Sequence, residues 1–114
     1  MNPDIVLQRA AERERELALR RQRELEHSRL RLRDRYGVNW GEADIRDLAA
    51  AAKDRGQPVA GASTSIPRSV WLDVRFRGRT IRLCLDGDTG MVCTVVPPHW
   101  VLTTTPMAMR RARA

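Results

Sequence analysis

The chain reads as an α+β domain, with a long N-terminal helix and a second helix packed on a small twisted antiparallel sheet. Three observations predict it. Residues 4–35 hold no glycine or proline and are rich in Arg, Glu, Leu and Ala, a composition that favours helix. A second helical pattern follows in "WGEADIRDLAAAAKDRG". From Val70 onward apolar residues recur at every second position, the period of a half-buried strand.

Asn2–Pro3 supplies the first helix with a cap and a proline at its first turn, and Glu16 with Arg20 gives a favourable i, i+4 pair. Its apolar stripe is thin: Leu7, Ala11, Ala18, Leu25 and Leu32, with Leu30 beside them. A helix polar on nearly all sides projects from the body or packs on a partner. Residues 1–24 are therefore expected to form an extended polar element for partner binding or oligomerisation. Residues 25–106 form the α+β domain, and 107–114 a basic tail. Gly37 is placed as a left-handed cap. In the second helix Ile45, Leu48, Ala49 and Ala52 share one side, and Gly56 ends it. The small, proline-broken stretch 57–69 reads as a loop.

In "DVRFRGRTIRLCL" a two-residue turn at Gly78–Arg79 pairs Phe76 with Ile81, Val74 with Leu83 and Leu72 with Leu85. Every apolar residue then falls on one face, and Arg75 stands opposite Arg82. Like charges so placed are destabilising, so the cationic face asks for a reason. "DGDTG" is a turn without the further ligands of a calcium loop. "MVCTVV" makes a third strand in one of two registers: either Met91, Cys93 and Val95 face the core, with Thr94 beside Arg82, or Val92, Thr94 and Val96 do. "PPHW" closes the sheet, and "VLTTT" reads as a short fourth strand.

The formal charge over 114 residues is +7, and arginine supplies all but one of the 21 basic side chains. Arginine's planar fork suits phosphates and carboxylates. The expected partner is nucleic acid first, an acidic protein second and a membrane surface third, although a GC-rich coding sequence also enriches arginine. No apolar run approaches a membrane span, and the first residues lack a secretion signal, so a cytoplasmic location is expected. Cys84 and Cys93 are too few for a disulfide framework or zinc site; they read as reduced thiols on adjacent strands, with a disulfide as the alternative in the register that sets them opposite each other. No cofactor or metal is expected.

Two clusters carry the candidate chemistry. On the sheet, Arg75 and Arg82, with Arg77 and Arg79 close by, either cradle a phosphate or form a solvated face in which Asp73 pairs with Arg82. On the first helix, His27, Arg31 and Arg35 lie at i, i+4 and i+8 along one face. Such a row sets a titratable base beside fixed positive charge, as RNA cleavage by 2′-hydroxyl attack requires. His99 is the only other imidazole.

"HSRLRLRDRYGVNWGEADIRDL", followed after a loop by "VRFRGRTIRLCLDGDTGMVCTVVP", resembles the RelE-type ribonuclease toxin superfamily, and more narrowly small RelE-like families of phages and mobile elements. The matching positions are His27, Arg31, Arg35, Tyr36, Gly37, Gly78, Ile81, Arg82, Asp86, Gly90, Val92, Thr94, Val95 and Pro97, and the likeness covers roughly residues 25–98. It implies helices on one side of a twisted sheet and RNA on the opposite, basic side. It implies His27 as base, Arg75 and Arg82 as phosphate clamps and Thr94 as orienting hydroxyl, with His27, Arg82 and Thr94 as the catalytic set. Arg31, Arg35, Arg75, Arg77, Arg79 and Arg82 would then bind RNA. The family's basic or tyrosine residue near the C-terminus is represented only by His99 and by Arg110, Arg111 and Arg113. The functional expectation is an RNA-binding protein with a RelE-like fold, either a metal-independent endoribonuclease or a non-catalytic protein that grips a host enzyme or ribonucleoprotein. An assembly subunit that uses its first helix is the third alternative.

Overall fold

A computed structural model describes residues 2–62, 67–100 and 102. Helix α1 spans Pro3–Tyr36 and α2 spans Glu42–Arg55. Strands β1 (Gln57–Pro58), β2 (Ser69–Phe76), β3 (Arg79–Asp86) and β4 (Val92–Val96) form one antiparallel sheet in the order β1-β2-β3-β4. The α+β class and the long first helix are as expected. Strand β1 departs from the loop that the sequence predicts over 57–69. Gln57 and Pro58 pair with Asp73 and Leu72 at the sheet edge, where a missing proline N–H costs least. The expected strand at 101–105 and the tail 107–114 lie outside the described residues, except for Leu102, which is buried.

The caps of α1 follow its sequence. Asn2 accepts the Asp4 N–H through its side chain, and Gly37 closes the helix at φ 68°. At the start of α2 the Asp44 carboxylate accepts the Gly41 N–H at 3.0 Å. Both helices pack on one face of the sheet around Leu32, Ile45, Leu48, Val74, Ile81, Leu83 and Val95, all almost fully buried. Residues 3–16 of α1 are exposed throughout, and the molecule extends to 59 Å along its longest axis. The anchored part of α1 begins before residue 25, because Arg20, Arg21 and Glu24 already hold the β3–β4 turn.

The hairpin register corrects the sequence reading. Phe76 pairs with Arg79, Val74 with Ile81, Leu72 with Leu83 and Asp73 with Arg82. Arg75 therefore faces Thr80, not Arg82. The turn is Arg77–Gly78, with φ of 51° and 81°, the double left-handed geometry whose twist matches the flanking strands. A left-handed arginine is unfavourable by about 1–2 kcal/mol. Tertiary contacts offset it: the Arg77 guanidinium lies 5.2 Å from the Trp40 ring and 4.9 Å from Phe76, and pairs with Asp44 at 2.8 Å. Moving the turn by one position shifts every pair by two residues, so the faces keep their identity. Phe76, Val74, Ile81 and Leu83 stay buried, and the charge conflict disappears.

Strand β4 follows neither expected register. Leu85 pairs with Val92 and Cys84 with Thr94, with a bulge between them. The extra residue lets Met91, Val92 and Val95 all join the helix-side core, while Val96 joins the opposite face. That face is not an open cationic surface. Trp71, Cys84, Val96 and Leu102 form a second apolar cluster, flanked by Val59, Ala62, Cys93 and Trp100.

Candidate nucleic-acid interface

Helix α1 lies along β4, and the two advance in step. From Ser28 to Tyr36 the helix rises about 12 Å; from Val92 to Val96 the strand rises about 13 Å. Side chains of the helix therefore meet successive main-chain groups of this edge strand. Ser28 donates to the Val92 carbonyl at 2.5 Å, and Arg35 to the Val95 carbonyl at 2.6 Å. The Tyr36 hydroxyl accepts from the Arg82 N–H at 3.0 Å and donates to the Val96 carbonyl at 2.5 Å, standing between two register partners. Covering an edge strand in this way blocks pairing with other chains. It also carries the C-terminal end of α1 to the mouth of the sheet.

Arg35, Arg82 and Trp100 converge there. Trp100, after the proline pair, is held by its N–H to the Pro97 carbonyl and by its own carbonyl to Arg82 Nη1 at 2.9 Å. The Arg35 guanidinium lies 4.6 Å from the Trp100 ring. Burial, and then the charge of Arg31, hold Arg35 below the usual arginine range. One turn back stands Arg31, half-buried, and a further turn back His27, exposed. Partial desolvation, followed by the positive charges of Arg31 and Arg35, lowers His27 from its ordinary value. Both effects favour the neutral imidazole.

The sheet arginines are placed differently. Arg82 grips Asp73 with both arms, Nε to Oδ1 and Nη2 to Oδ2, each at 2.8 Å, and this pair raises its pKa. Arg79 donates to the Tyr36 carbonyl at the C-terminal end of α1, where the helix dipole favours a cation. Arg77 is bound to Asp44, and Arg75 donates to Thr80 Oγ1 at 3.4 Å. Thr94 is half-buried opposite Cys84 on the face that carries Arg82. The structure thus brings His27, Arg31 and Arg35 into one row and commits Arg77 and Arg82 to carboxylates. Cys93 Sγ lies 3.2 Å from the Cys84 carbonyl, and its hydrogen bond to Cys84, with burial, pushes its pKa up.

Sequence reasoning missed a second polar centre, where α1 meets the β3–β4 turn. Asp86 is fully buried. Its Oδ2 receives Arg20 Nε at 2.9 Å, and its Oδ1 receives the N–H groups of Asp88 at 2.9 Å and Thr89 at 3.4 Å. The Thr89 hydroxyl donates to Glu24 at 2.6 Å. Burial and the adjacent Asp86 push Glu24 up to about 7. Burial opposes the charge on Asp86, but hydrogen bonds from Glu24, the Asp88 N–H and Arg20 outweigh it and hold its pKa low. The Asp in "DGDTG" was the available signal, and it reads as a turn because its partners lie more than 60 residues away in sequence.

No family model, curated protein or solved structure matches the chain. Among the described residues no helix is long and apolar enough to cross a membrane.

Proposed function

We propose that the chain is an RNA-binding protein, as its resemblance to RelE-like proteins implies, and that its contact row is His27, Arg31 and Arg35 on α1 rather than the arginines of the sheet. The observation that carries this reading is the charge left over along that row. Arg31 and Arg35 stand on one face of α1, and no carboxylate pairs with either in the described ion pairs. Such cations release counterions when they meet phosphates. Arg82 and Arg77 contribute little, because their charges are already matched.

Binding to a labelled single-stranded RNA should fall steeply as salt rises. The double variant Arg31→Ala and Arg35→Ala should flatten the slope of log affinity against log salt by roughly one to two contacts. A slope unchanged from the parent would shift the weight to a protein partner.

Metal-independent cleavage is a second reading, favoured by the placement of His27 in one row with Arg31 and Arg35 on α1, whose charges lower its pKa. Its signature is chelator-resistant cleavage of RNA that falls about 10²–10⁴-fold in His27→Ala, the usual share of a general base, with binding kept. Chelator-sensitive cleavage, or cleavage unchanged by that substitution, would remove His27 from the chemistry.

A further inference from the structure

Beside the row lies a cleft of about 560 Å³, within the roughly 300–1,000 Å³ range of small-ligand sites. Trp100 and Leu102 line one part of it and the turn at 59–62 another, with Arg82 and His99 supplying its polar groups. Resting on the RNA-binding reading above, we propose that this cleft receives one unstacked base of a single-stranded RNA whose phosphates lie on Arg31 and Arg35.

Three observations support a base rather than a phosphate in the cleft. First, Arg82 is matched by Asp73, so the walls are aromatic and apolar with little net charge on that side. A bare anion gains little there, whereas a neutral, flat, heteroatom-bearing ring gains stacking and contact. Second, the Trp100 indole N–H is buried and has no hydrogen-bond partner. A buried donor is costly unless an acceptor arrives, and base carbonyls and ring nitrogens are acceptors. Third, the platform is already rigid. Both main-chain polar groups of Trp100 are bonded, and Arg35 lies over its ring. Unstacked bases are commonly held on such aromatic and guanidinium planes. Arg35 joins the two parts, because it touches the platform and carries charge on the phosphate row.

The test uses the full chain and two fluorescent probes of equal length, an oligoadenylate and an abasic ribose-phosphate oligomer. The oligoadenylate should bind roughly 5- to 150-fold more tightly, the range that one stacked base supplies. Trp100→Ala should collapse that ratio toward one, while Trp100→Phe, which keeps a stacking ring and loses the indole N–H, should fall between that variant and the parent. Since Trp100→Ala also removes packing, Ala60→Leu at the exposed tip of the 59–62 turn provides a second route: it narrows the cleft without entering the core, and should also lower the ratio. Equal affinity of the two probes for the parent protein would overturn the base cleft and leave the phosphate row standing. Binding of neither probe would overturn both. A ratio that survives both Trp100→Ala and Ala60→Leu would place the base elsewhere and sink the proposal.

Discussion

Asp86→Ala should lower the unfolding free energy by about 3 kcal/mol, measured by urea denaturation at pH 5.5. Asp86 is fully buried and binds Arg20 together with two N–H groups of its own turn. Removing it strands those turn donors and leaves Arg20 to compete for solvent. The turn is also where α1 first takes hold of the sheet, so the loss reaches beyond one loop. The same variant carries a pH signature. In the parent, Glu24 is raised from the ordinary carboxyl range to about 7. The folded state thus keeps a proton that the unfolded chain has given up. That contribution is complete below about pH 4.5 and is lost as pH rises through 7. Without Asp86, Glu24 faces Arg20 and returns toward its ordinary range, so the slope between pH 5 and 8 should flatten. The stability gap between parent and variant should therefore be widest near pH 5 and narrow toward pH 8. A gap that widens with pH would show that the two carboxyl groups do not share a proton. Asp86 works in the opposite sense, but its lowered pKa places its effect below pH 4, outside this window.

The fold class was legible because it rests on composition and period, which survive small errors of register. The alternation of Val74 and Phe76 with Arg75, and of Ile81 and Leu83 with Arg82, assigns each side chain to a face whichever two residues make the turn. The turn itself was not legible. Read locally, Arg77 is a poor candidate for φ 51°, and a Gly-first turn at 78–79 looks better. What reverses the choice is Trp40 and Asp44, more than 30 residues earlier in the chain, which hold the Arg77 guanidinium. The bulge in β4 was hidden for a related reason. "MVCTVV" is apolar at nearly every position, so both alternations look acceptable, and only packing on both faces selects the mixture.

At the candidate site the row His27, Arg31 and Arg35 was readable from helical spacing. Its difference from the sheet arginines was not. An arginine's availability depends on which carboxylate reaches it, and for Arg77 and Asp44 that is decided by how the hairpin docks on α2. Trp100 gave no periodic signal in "PPHW". Its significance comes from Arg35 and Arg82, which approach it from two other elements.

The Asp73–Arg82 pair converts that difference into a measurement. Asp73→Ala should cost about 2–4 kcal/mol, because it leaves a half-buried guanidinium bonded only through its Nη1 to the Trp100 carbonyl. It should also make RNA binding more salt-dependent, by roughly one contact, since it frees a cation beside the proposed cleft. Arg82→Ala separates the two effects. It should destabilise the fold, because Asp73 loses both of its bonded arms, yet leave the salt slope where it was, because the charge removed was already cancelled. This outcome differs from that of a phosphate clamp, for which the slope would flatten by about one in Arg82→Ala and the affinity would fall with it. Denaturation curves read the first effect and anisotropy titrations at several salt concentrations the second, on the same preparations. If Arg82→Ala flattens the slope while the protein remains folded, Arg82 exchanges Asp73 for phosphate when RNA arrives, and the contact surface must be extended from α1 onto the sheet.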